Sequence, residues 1–222
     1  MKKRILTILL VLVLLVGSLP AGAISGDYDR NARECAVLLY NYGLLDGSGT
    51  LADGTVDFSL ERPMTRGEAI TMVVRLTGGK EDALSGGYSH PFTDVDSWGD
   101  PYVGYAYAMG ISNGVSATSF GFKNYISQAE YLTLMLRGMG YDWVDWRDPY
   151  TTATQADLLE GRDYDRVDTF LRKDMALLSY GLLNTMVVGA DTTLYGVLEE
   201  KGVLIYRELP TPNPTPTPTV TP

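Results

Sequence analysis

The chain has 222 residues and carries 27 acidic against 18 basic side chains, a formal net charge of −9 at neutral pH. This balance argues against a protein that binds nucleic acid, because phosphate contacts require clustered lysine and arginine. The single cysteine, Cys35, excludes an intrachain disulfide, and its place in an apolar helical pattern predicts a small buried side chain.

The N-terminal segment, residues 1–23, has the pattern of a secretory signal peptide. A basic head at residues 2–4 precedes an apolar run at residues 5–16, and Ala21-Gly22-Ala23 suits a cleavage site. We expect cleavage before Ile24, because the apolar run is too short for a membrane span. An uncleaved membrane anchor is the alternative. Cleavage would remove three basic residues and no acid, so the mature chain would be more acidic still.

Two helical patterns, at residues 27–43 and 101–110, end in the same glycine motif. The motif reads glycine, apolar residue, two variable residues, glycine, and its copies are Gly43-Leu44-Leu45-Asp46-Gly47 and Gly110-Ile111-Ser112-Asn113-Gly114. The first glycine suits a left-handed helix end, and the apolar residue beyond it folds back on the helix. In the loop that follows the first copy, residues 55–58 predict a short strand or extended segment.

Each glycine motif is followed by a second helical pattern, at Met64–Gly79 and at Ile126–Gly140. Both patterns open with an apolar residue, a hydroxyl residue and an acid three positions after the hydroxyl: Thr65 with Glu68, and Ser127 with Glu130. This spacing predicts a capping box, in which the hydroxyl and the carboxylate satisfy two backbone N–H groups at the start of a helix. These four residues are therefore interpreted as structural caps.

A motif at Phe92–Trp98, FTDVDSW, precedes the second unit. With the helix, glycine motif and capped helix that follow, it resembles an S-layer homology (SLH) repeat. The first unit is similar to the same family at Met64–Ala69, MTRGEA, where family members usually read T-R-A-E at the start of the second helix. The resemblance implies an all-α fold of three helix-loop-helix repeats in a pseudo-three-fold bundle, with at most short extended segments in the loops.

The resemblance also sets the expected boundaries. We expect a first repeat at residues 24–79, a linker at 80–91, a second repeat at 92–140, and a degenerate third repeat with a terminal helix at 141–209. In the third repeat Arg172 and Asp174 align with Arg66 and Glu68, but Leu171 replaces the capping hydroxyl. Residues 210–222, PTPNPTPTPTVTP, cannot pack and predict an extended linker or tail.

The resemblance implies that grooves between the repeats bind a cell-wall polysaccharide with negatively charged, often pyruvylated, sugars. Such a groove needs a cation for a carboxylate, the positive end of a helix and an aromatic face for a sugar ring. The candidate ligand contacts are Arg66, Arg172, Gln128, Asp94 and Trp98.

These candidates are not equivalent. Arg66 is either a ligand contact or a solvated first-turn residue, and Arg172 occupies the same place in the third unit. Gln128 takes this place in the second unit and cannot neutralise a carboxylate. We therefore expect at most two of the three grooves to bind the ligand strongly. Trp98 stacks on sugar or packs at a repeat junction, and we favour packing.

Metal binding, cofactors and catalysis find little support. Asp94, Asp96 and Asp100 suggest calcium, but the twelfth position from Asp94 is Tyr105 rather than the glutamate of an EF-hand. The only histidine, His90, lies in a Gly/Ser-rich segment, and the sequence assembles neither a catalytic triad nor a Cys-His pair. Two further tryptophans between the second and third units, Trp143 and Trp146, are interpreted as core residues.

The predicted function is non-covalent anchoring of a secreted protein to the bacterial cell wall or S-layer. The expected partner is a secondary cell-wall polysaccharide attached to peptidoglycan, and other surface-layer proteins are further candidate partners. A second hypothesis is a structural or regulatory surface protein whose degenerate repeats contact another protein. A wall hydrolase is the least favoured class, because no acidic pair stands in a recognisable catalytic context.

Overall fold

The described part of the chain is mainly helical. The computed structural model describes residues 28–159 and 167–210, so the predicted signal peptide and residues 211–222 lie outside the described part. Eight helices and one two-stranded antiparallel sheet are found there, and the all-α prediction is confirmed. The elements are α1 (Tyr28–Asn41), β1 (Gly49–Thr50), β2 (Val56–Asp57), α2 (Arg66–Leu76), α3 (Lys80–Ser85), α4 (Asp100–Ala108), α5 (Gln128–Gly138), α6 (Pro149–Gln155), α7 (Arg172–Leu182) and α8 (Leu194–Glu200).

The sheet is small and lies in the loop between α1 and α2. Gly49 pairs with Asp57 and Thr50 with Val56. Strand β2 falls within the segment 55–58, for which the sequence predicts a strand or extended structure. The sheet closes the loop, and the rest of the architecture is helix on helix.

Both predicted capping boxes form. The Thr65 Oγ1 accepts a hydrogen bond from the Glu68 N–H at 3.3 Å, and the Thr65 N–H donates to the Glu68 carboxylate at 2.9 Å. At the start of α5 the same two bonds join Ser127 and Glu130 at 3.2 and 2.9 Å. In α7, where Leu171 has no side-chain acceptor, the Asp174 carboxylate still accepts from the Leu171 N–H at 2.7 Å. Helix α7 therefore keeps one of the two hydrogen bonds of the capping box.

Helices α1, α4 and α6 end in the same turn. In each, a residue with positive φ donates its N–H to the carbonyl three residues earlier, and the next residue donates to the carbonyl five residues earlier. The donors are Gly43 and Leu44, Gly110 and Ile111, and Asp157 and Leu158. Asp157, at φ +56°, takes the place of glycine in the third turn, which aspartate tolerates better than most residues.

The first N–H groups of α2 and α7 bond to loops that precede other helices. Arg66 and Gly67 donate to the carbonyls of Asn124 and Phe122 at 2.8 and 3.0 Å. At the start of α7, the N–H groups of Arg172 and Lys173 donate to the carbonyls of Arg62 and Leu60 at 3.0 and 2.9 Å. Each helix start is thus tied to the loop before a different long helix, which fixes how the helices are arranged.

One hydrophobic core connects these elements. Helix α2 packs on α4 and α5, α5 packs on α6 and α7, and α1 packs on α7, so the first and the last long helix are in contact. Fully buried side chains such as Val73, Met135 and Leu178 come from the central helices. Tyr131 is also fully buried, and its hydroxyl lies 2.7 Å from the Ser179 Oγ. Burial raises the pKa of Tyr131 well above its ordinary value.

The structure adds detail to one sequence interpretation and contradicts another. The segment 80–91, predicted as a linker, contains α3, which packs on α4. Trp143 and Trp146 are not core residues: their exposed fractions are 60% and 59%, and the buried residue between them is Val144. Cys35 is buried, as the sequence predicts. None of the helices in the described part is long and apolar enough to cross a membrane.

Candidate functional site

A groove of about 420 Å³ lies beside α2, the turn after α1 and the start of α7. We call it the arginine groove. Its charged lining residues are Arg62, Arg75, Arg172, Asp46 and Glu68, and Trp98 lies at the same groove. Three cations against two acids give the lining a net charge of +1, whereas the whole chain carries −9. The groove is therefore a locally positive site on an acidic protein, which favours an anionic ligand.

Both acids of the arginine groove are already paired. Glu68 contacts Arg62 through two bonds of 2.6 and 3.2 Å, and Asp46 contacts Arg75 at 2.6 Å and Arg207 at 2.8 Å. Burial favours the neutral acids, but the hydrogen bonds from these arginines outweigh it and hold the pKa of Asp46 and Glu68 below their ordinary values. Both acids therefore stay ionised and orient their arginines.

Arg172 is the cation of the arginine groove that forms no direct ion pair among the described residues, although the nearby acids Glu68 and Asp57 stabilise its charge from a distance. Its side chain is 7% exposed, and its Nε donates to the Phe58 carbonyl at 2.9 Å. Burial and the neighbouring Arg62 both lower its pKa from the usual value for arginine. A buried cation in this position gains most from an incoming carboxylate, because little water competes for it.

Trp98 packs on a neighbouring ring and is also partly exposed. Its ring packs on Phe122 with the ring centres 4.9 Å apart, yet 51% of the residue is exposed. Because Trp98 also lines the arginine groove, the structure brings it together with Arg172. An exposed indole face beside a cation suits a charged sugar.

Arg66 lies at a separate junction, between α2 and α5. It is 7% exposed, so it is not a solvated first-turn residue. The guanidinium lies 5.2 Å from the centre of the Phe120 ring and contacts Glu130 at 3.1 Å and the Ser112 Oγ at 3.4 Å, while its buried Nε has no hydrogen-bond partner. The neighbouring helix N–H groups are already bonded to backbone carbonyls, so they are not free donors for an anion.

Gln128 and Asp94 have protein partners. Gln128 is 3% exposed, and its Oε1 accepts a hydrogen bond from the Tyr150 hydroxyl at 2.9 Å. The Asp94 carboxylate accepts from the N–H groups of Phe120 at 2.7 Å and Gly121 at 2.8 Å, and from the Ser119 hydroxyl at 2.8 Å. Burial opposes the charge, but these bonds outweigh it and lower the Asp94 pKa to about 2. The structure thus uses Asp94 to hold the 119–122 loop.

Sequence reasoning missed three residues of the arginine groove: Arg62, Arg75 and Asp46. Asp46 lies in the glycine motif after α1. Backbone geometry explains the glycines of this motif but not a charged residue, so the aspartate itself was a signal for a functional side chain. Arg75 lies in the last turn of α2, where a cation is expected on helix-dipole grounds alone. Nothing in the local sequence distinguishes it from a surface residue.

The comparison with protein families matches the second unit of the chain. Residues 91–132 match the family model of the S-layer homology domain, a range that holds the FTDVDSW motif, α4 and the start of α5. The chain therefore carries an S-layer homology domain, as the sequence resemblance predicts.

The similar proteins belong to bacterial surfaces. The chain is 28% identical over 129 residues to a cell surface protein of Thermoanaerobacter kivui, covering 56% of this chain and 17% of that protein. It is 32% identical over 101 residues to the middle cell wall protein of Brevibacillus brevis, covering 44% and 10%. It is 27% identical over 143 residues to a surface layer protein of Brevibacillus choshinensis, covering 63% and 13%. The matches thus span only a small part of each relative, and they confirm the predicted cell-wall or cell-surface localisation.

Proposed function

We propose that this chain anchors a secreted protein non-covalently to the bacterial cell wall by binding an anionic secondary cell-wall polysaccharide. The observation that carries the proposal is the arginine groove, where buried Arg172 forms no direct ion pair among the described residues and Trp98 exposes an aromatic face. A sugar carboxylate, such as that of a pyruvyl group, would form a direct ion pair with Arg172. The sugar ring would stack on Trp98.

The proposal includes three SLH repeats, at residues 24–79, 92–140 and 141–209. The starts of α2, α5 and α7 support three equivalent units, because at each of them an acid accepts a hydrogen bond from the backbone N–H three residues earlier. The bonds from α2 to the second unit and from α7 to the first support a cyclic arrangement. In this arrangement the arginine groove draws residues from all three units: Arg75 from the first, Trp98 from the second and Arg172 from the third.

The three equivalent positions would bind ligand with different strength. Among the described residues the Arg172 side chain donates through its Nε alone, so its terminal nitrogens would form paired hydrogen bonds with a carboxylate. Arg66 would have to give up or share its contact with Glu130, which makes its junction a weaker site. Gln128 is uncharged and already bonded to Tyr150, so we propose that its junction contributes least.

The names of the similar proteins describe surface and wall components and not catalysts, which supports a non-enzymatic role. Most of each relative lies outside the matched segment. What the whole protein carries or assembles with is therefore part of the proposal. The polysaccharide attached to peptidoglycan is the proposed partner, and other surface-layer proteins are the second candidate.

The test is a pull-down of residues 24–222 on purified sacculi with and without their attached polysaccharide. Arg172→Ala and Trp98→Ala should weaken retention on complete sacculi, with a loss of about 2 to 5 kcal/mol for Arg172→Ala, as is typical when one partner of a buried charge pair is removed. Arg172→Lys should rescue only in part, because lysine cannot form the paired hydrogen bonds. Lys123→Ala is the matched control, since Lys123 is 75% exposed and lies outside the groove.

Thermal unfolding must accompany the pull-down, because Arg172→Ala also removes the bond to the Phe58 carbonyl. Retention that needs the polysaccharide and falls in folded Arg172→Ala supports the anchor. Equal retention of Arg172→Ala and Lys123→Ala, or binding to sacculi without polysaccharide, contradicts it. Binding to sacculi without polysaccharide would instead favour a different wall polymer or a protein partner as the ligand.

A further inference from the structure

The segment that follows α8, residues 203–209, packs on the turn after α1, and we call it the C-terminal strap. We infer that the strap completes the arginine groove and that Arg207 is a positioning residue, which holds Asp46 so that Arg75 keeps its place and its positive charge toward the ligand. The inference rests on the function proposed above. The strap lies outside residues 91–132, so the family match assigns it no role.

Backbone hydrogen bonds fasten the strap to the end of α1. The Ile205 N–H donates to the Tyr42 carbonyl at 3.1 Å, and the Arg207 N–H donates to the Asn41 carbonyl at 2.8 Å. Gly43, at φ +76°, favours this approach, because an added Cβ would lie 3.3 Å from both the Ile205 Cβ and a terminal nitrogen of Arg207. The strap therefore crosses the glycine motif after α1 at close range.

The Arg207 side chain is held on two sides. Its guanidinium lies 5.2 Å from the centre of the Tyr40 ring, and its Nη1 donates to the Asp46 Oδ1 at 2.8 Å. The other oxygen of Asp46, Oδ2, accepts from the Arg75 Nη1 at 2.6 Å. Because the ring contact restrains the guanidinium, the strap supplies a cation that reaches Asp46 from a fixed direction.

Asp46 depends on both arginines for its orientation. Its side chain is 55% exposed, so packing alone does not fix the carboxylate, which would otherwise be free to turn toward the groove. An acid that faced the groove would repel an anionic ligand. With one oxygen bonded to Arg207 and the other to Arg75, the carboxylate is held between two cations.

The strap also changes the charge beside the groove. Arg207 adds a cation that contacts an acid of the lining, although none of the described lining residues comes from the strap. Because Asp46 divides its charge between two arginines, Arg75 is neutralised only in part. The Arg75 side chain is 14% exposed, so little water screens its remaining charge. The strap therefore strengthens the attraction of the groove for an anion.

The experiment compares Arg207→Gln and Arg207→Lys with Lys201→Gln in residues 24–222. Lys201→Gln is the matched control, because Lys201 is exposed, precedes the strap and carries the same charge. The first measurement is the titration of the Asp46 carboxyl by NMR without ligand. Burial raises the pKa of Asp46 and the hydrogen bonds from Arg75 and Arg207 lower it, so Arg207→Gln should raise this pKa toward its ordinary value. Arg207→Lys should keep the pKa low, because the contact with Asp46 runs through one nitrogen, which lysine can replace.

The second measurement is retention on sacculi that carry the polysaccharide, at low and at high salt. At low salt Arg207→Gln should bind about two- to fivefold more weakly than the unmutated chain, as expected when one partly exposed charge is removed, and the difference should shrink at high salt. Arg207→Lys should restore binding, and Lys201→Gln should bind like the unmutated chain. Thermal unfolding of all three variants accompanies both measurements.

An unchanged Asp46 pKa in Arg207→Gln overturns the inference, and so does equal retention of Arg207→Gln and Lys201→Gln. A loss of retention that follows the melting temperature and that Arg207→Lys does not restore also overturns it, because the strap would then only stabilise the fold. If Arg172→Ala weakens retention and Arg207→Gln does not, the anchor stands and only the role of the strap fails. If the polysaccharide does not retain the unmutated chain, the proposed function fails, and this inference fails with it.

Discussion

Asp94 offers the sharpest test of how the structure is held together. Its carboxylate accepts four hydrogen bonds from the loop at residues 119–122. That loop supplies the Phe122 carbonyl that bonds the start of α2, and the Phe120 ring beneath Arg66. Asp94→Asn removes the charge and replaces one acceptor oxygen with a donor that faces other donors. We therefore expect the loop, the α2 start and the Arg66 junction to loosen together.

The size of the effect follows from the pKa. A pKa of about 2 against the ordinary 3.8 corresponds to up to roughly 2.5 kcal/mol, at about 1.4 kcal/mol for each pKa unit. Asp94 is only half-buried, so solvent screening reduces this to about 1 kcal/mol. Because the folded pKa is lowered, the stabilisation is complete above the unfolded pKa near 4. It is lost as the pH falls from about 4 towards 2.

The assay is urea unfolding followed by tryptophan fluorescence at pH 7, 4 and 2.5. The free energy of unfolding of Asp94→Asn should lie about 1 kcal/mol below that of the unmutated chain at pH 7, and the gap should close at the lowest pH. Asp96→Asn is the control, because its exposed ion pair with Lys123 at 3.0 Å contributes little. Equal effects of the two variants, or a gap that does not change with pH, would refute the reasoning.

Two further predictions concern α2. Gly67→Ala should lower the free energy of unfolding by about 1 to 3 kcal/mol, because the added Cβ would meet the Phe122 ring at 2.5 Å. Gly49→Ala is the control, since a Cβ added there meets nothing within 4 Å. Equal melting temperatures of the two variants would contradict the packing of Gly67 on Phe122. Thr65→Ala should cost about 1 kcal/mol through loss of the cap, with Thr65→Ser as the variant that keeps it. Urea unfolding that shows no difference between the two Thr65 variants would contradict the cap.

Local structure was the part of this protein open to prediction. Capping boxes depend on residues three positions apart, so Thr65 with Glu68 and Ser127 with Glu130 could be recognised without a fold. The same holds for the turns that end α1 and α4 at Gly43 and Gly110, where the backbone requires positive φ. The equivalent turn at Asp157 was not predicted, because an aspartate indicates a positive φ less strongly than a glycine does.

Predictions about the tertiary contacts of a side chain were less accurate. Trp143 and Trp146 are hydrophobic and so were expected in the core, but Val144 occupies the one inward position of their loop. The sequence predicts a ligand contact for Asp94 and gives no sign that backbone N–H groups 26 and 27 residues later bond to its carboxylate. Both outcomes depend on neighbours that are remote in sequence.

The sequence by itself determined most of the long helices, two of their capping boxes, the glycine turns and the S-layer homology pattern at residues 91–132, because these depend on interactions within a few residues of one another. Only the tertiary structure decided which cations share a groove. Arg172 and Arg66 occupy the same place in their helices, yet Arg66 meets Glu130 whereas Arg172 meets a backbone carbonyl. The physical reason is that the charge environment of a buried arginine comes from the element packed against it, and that element is set by the packing of the whole chain.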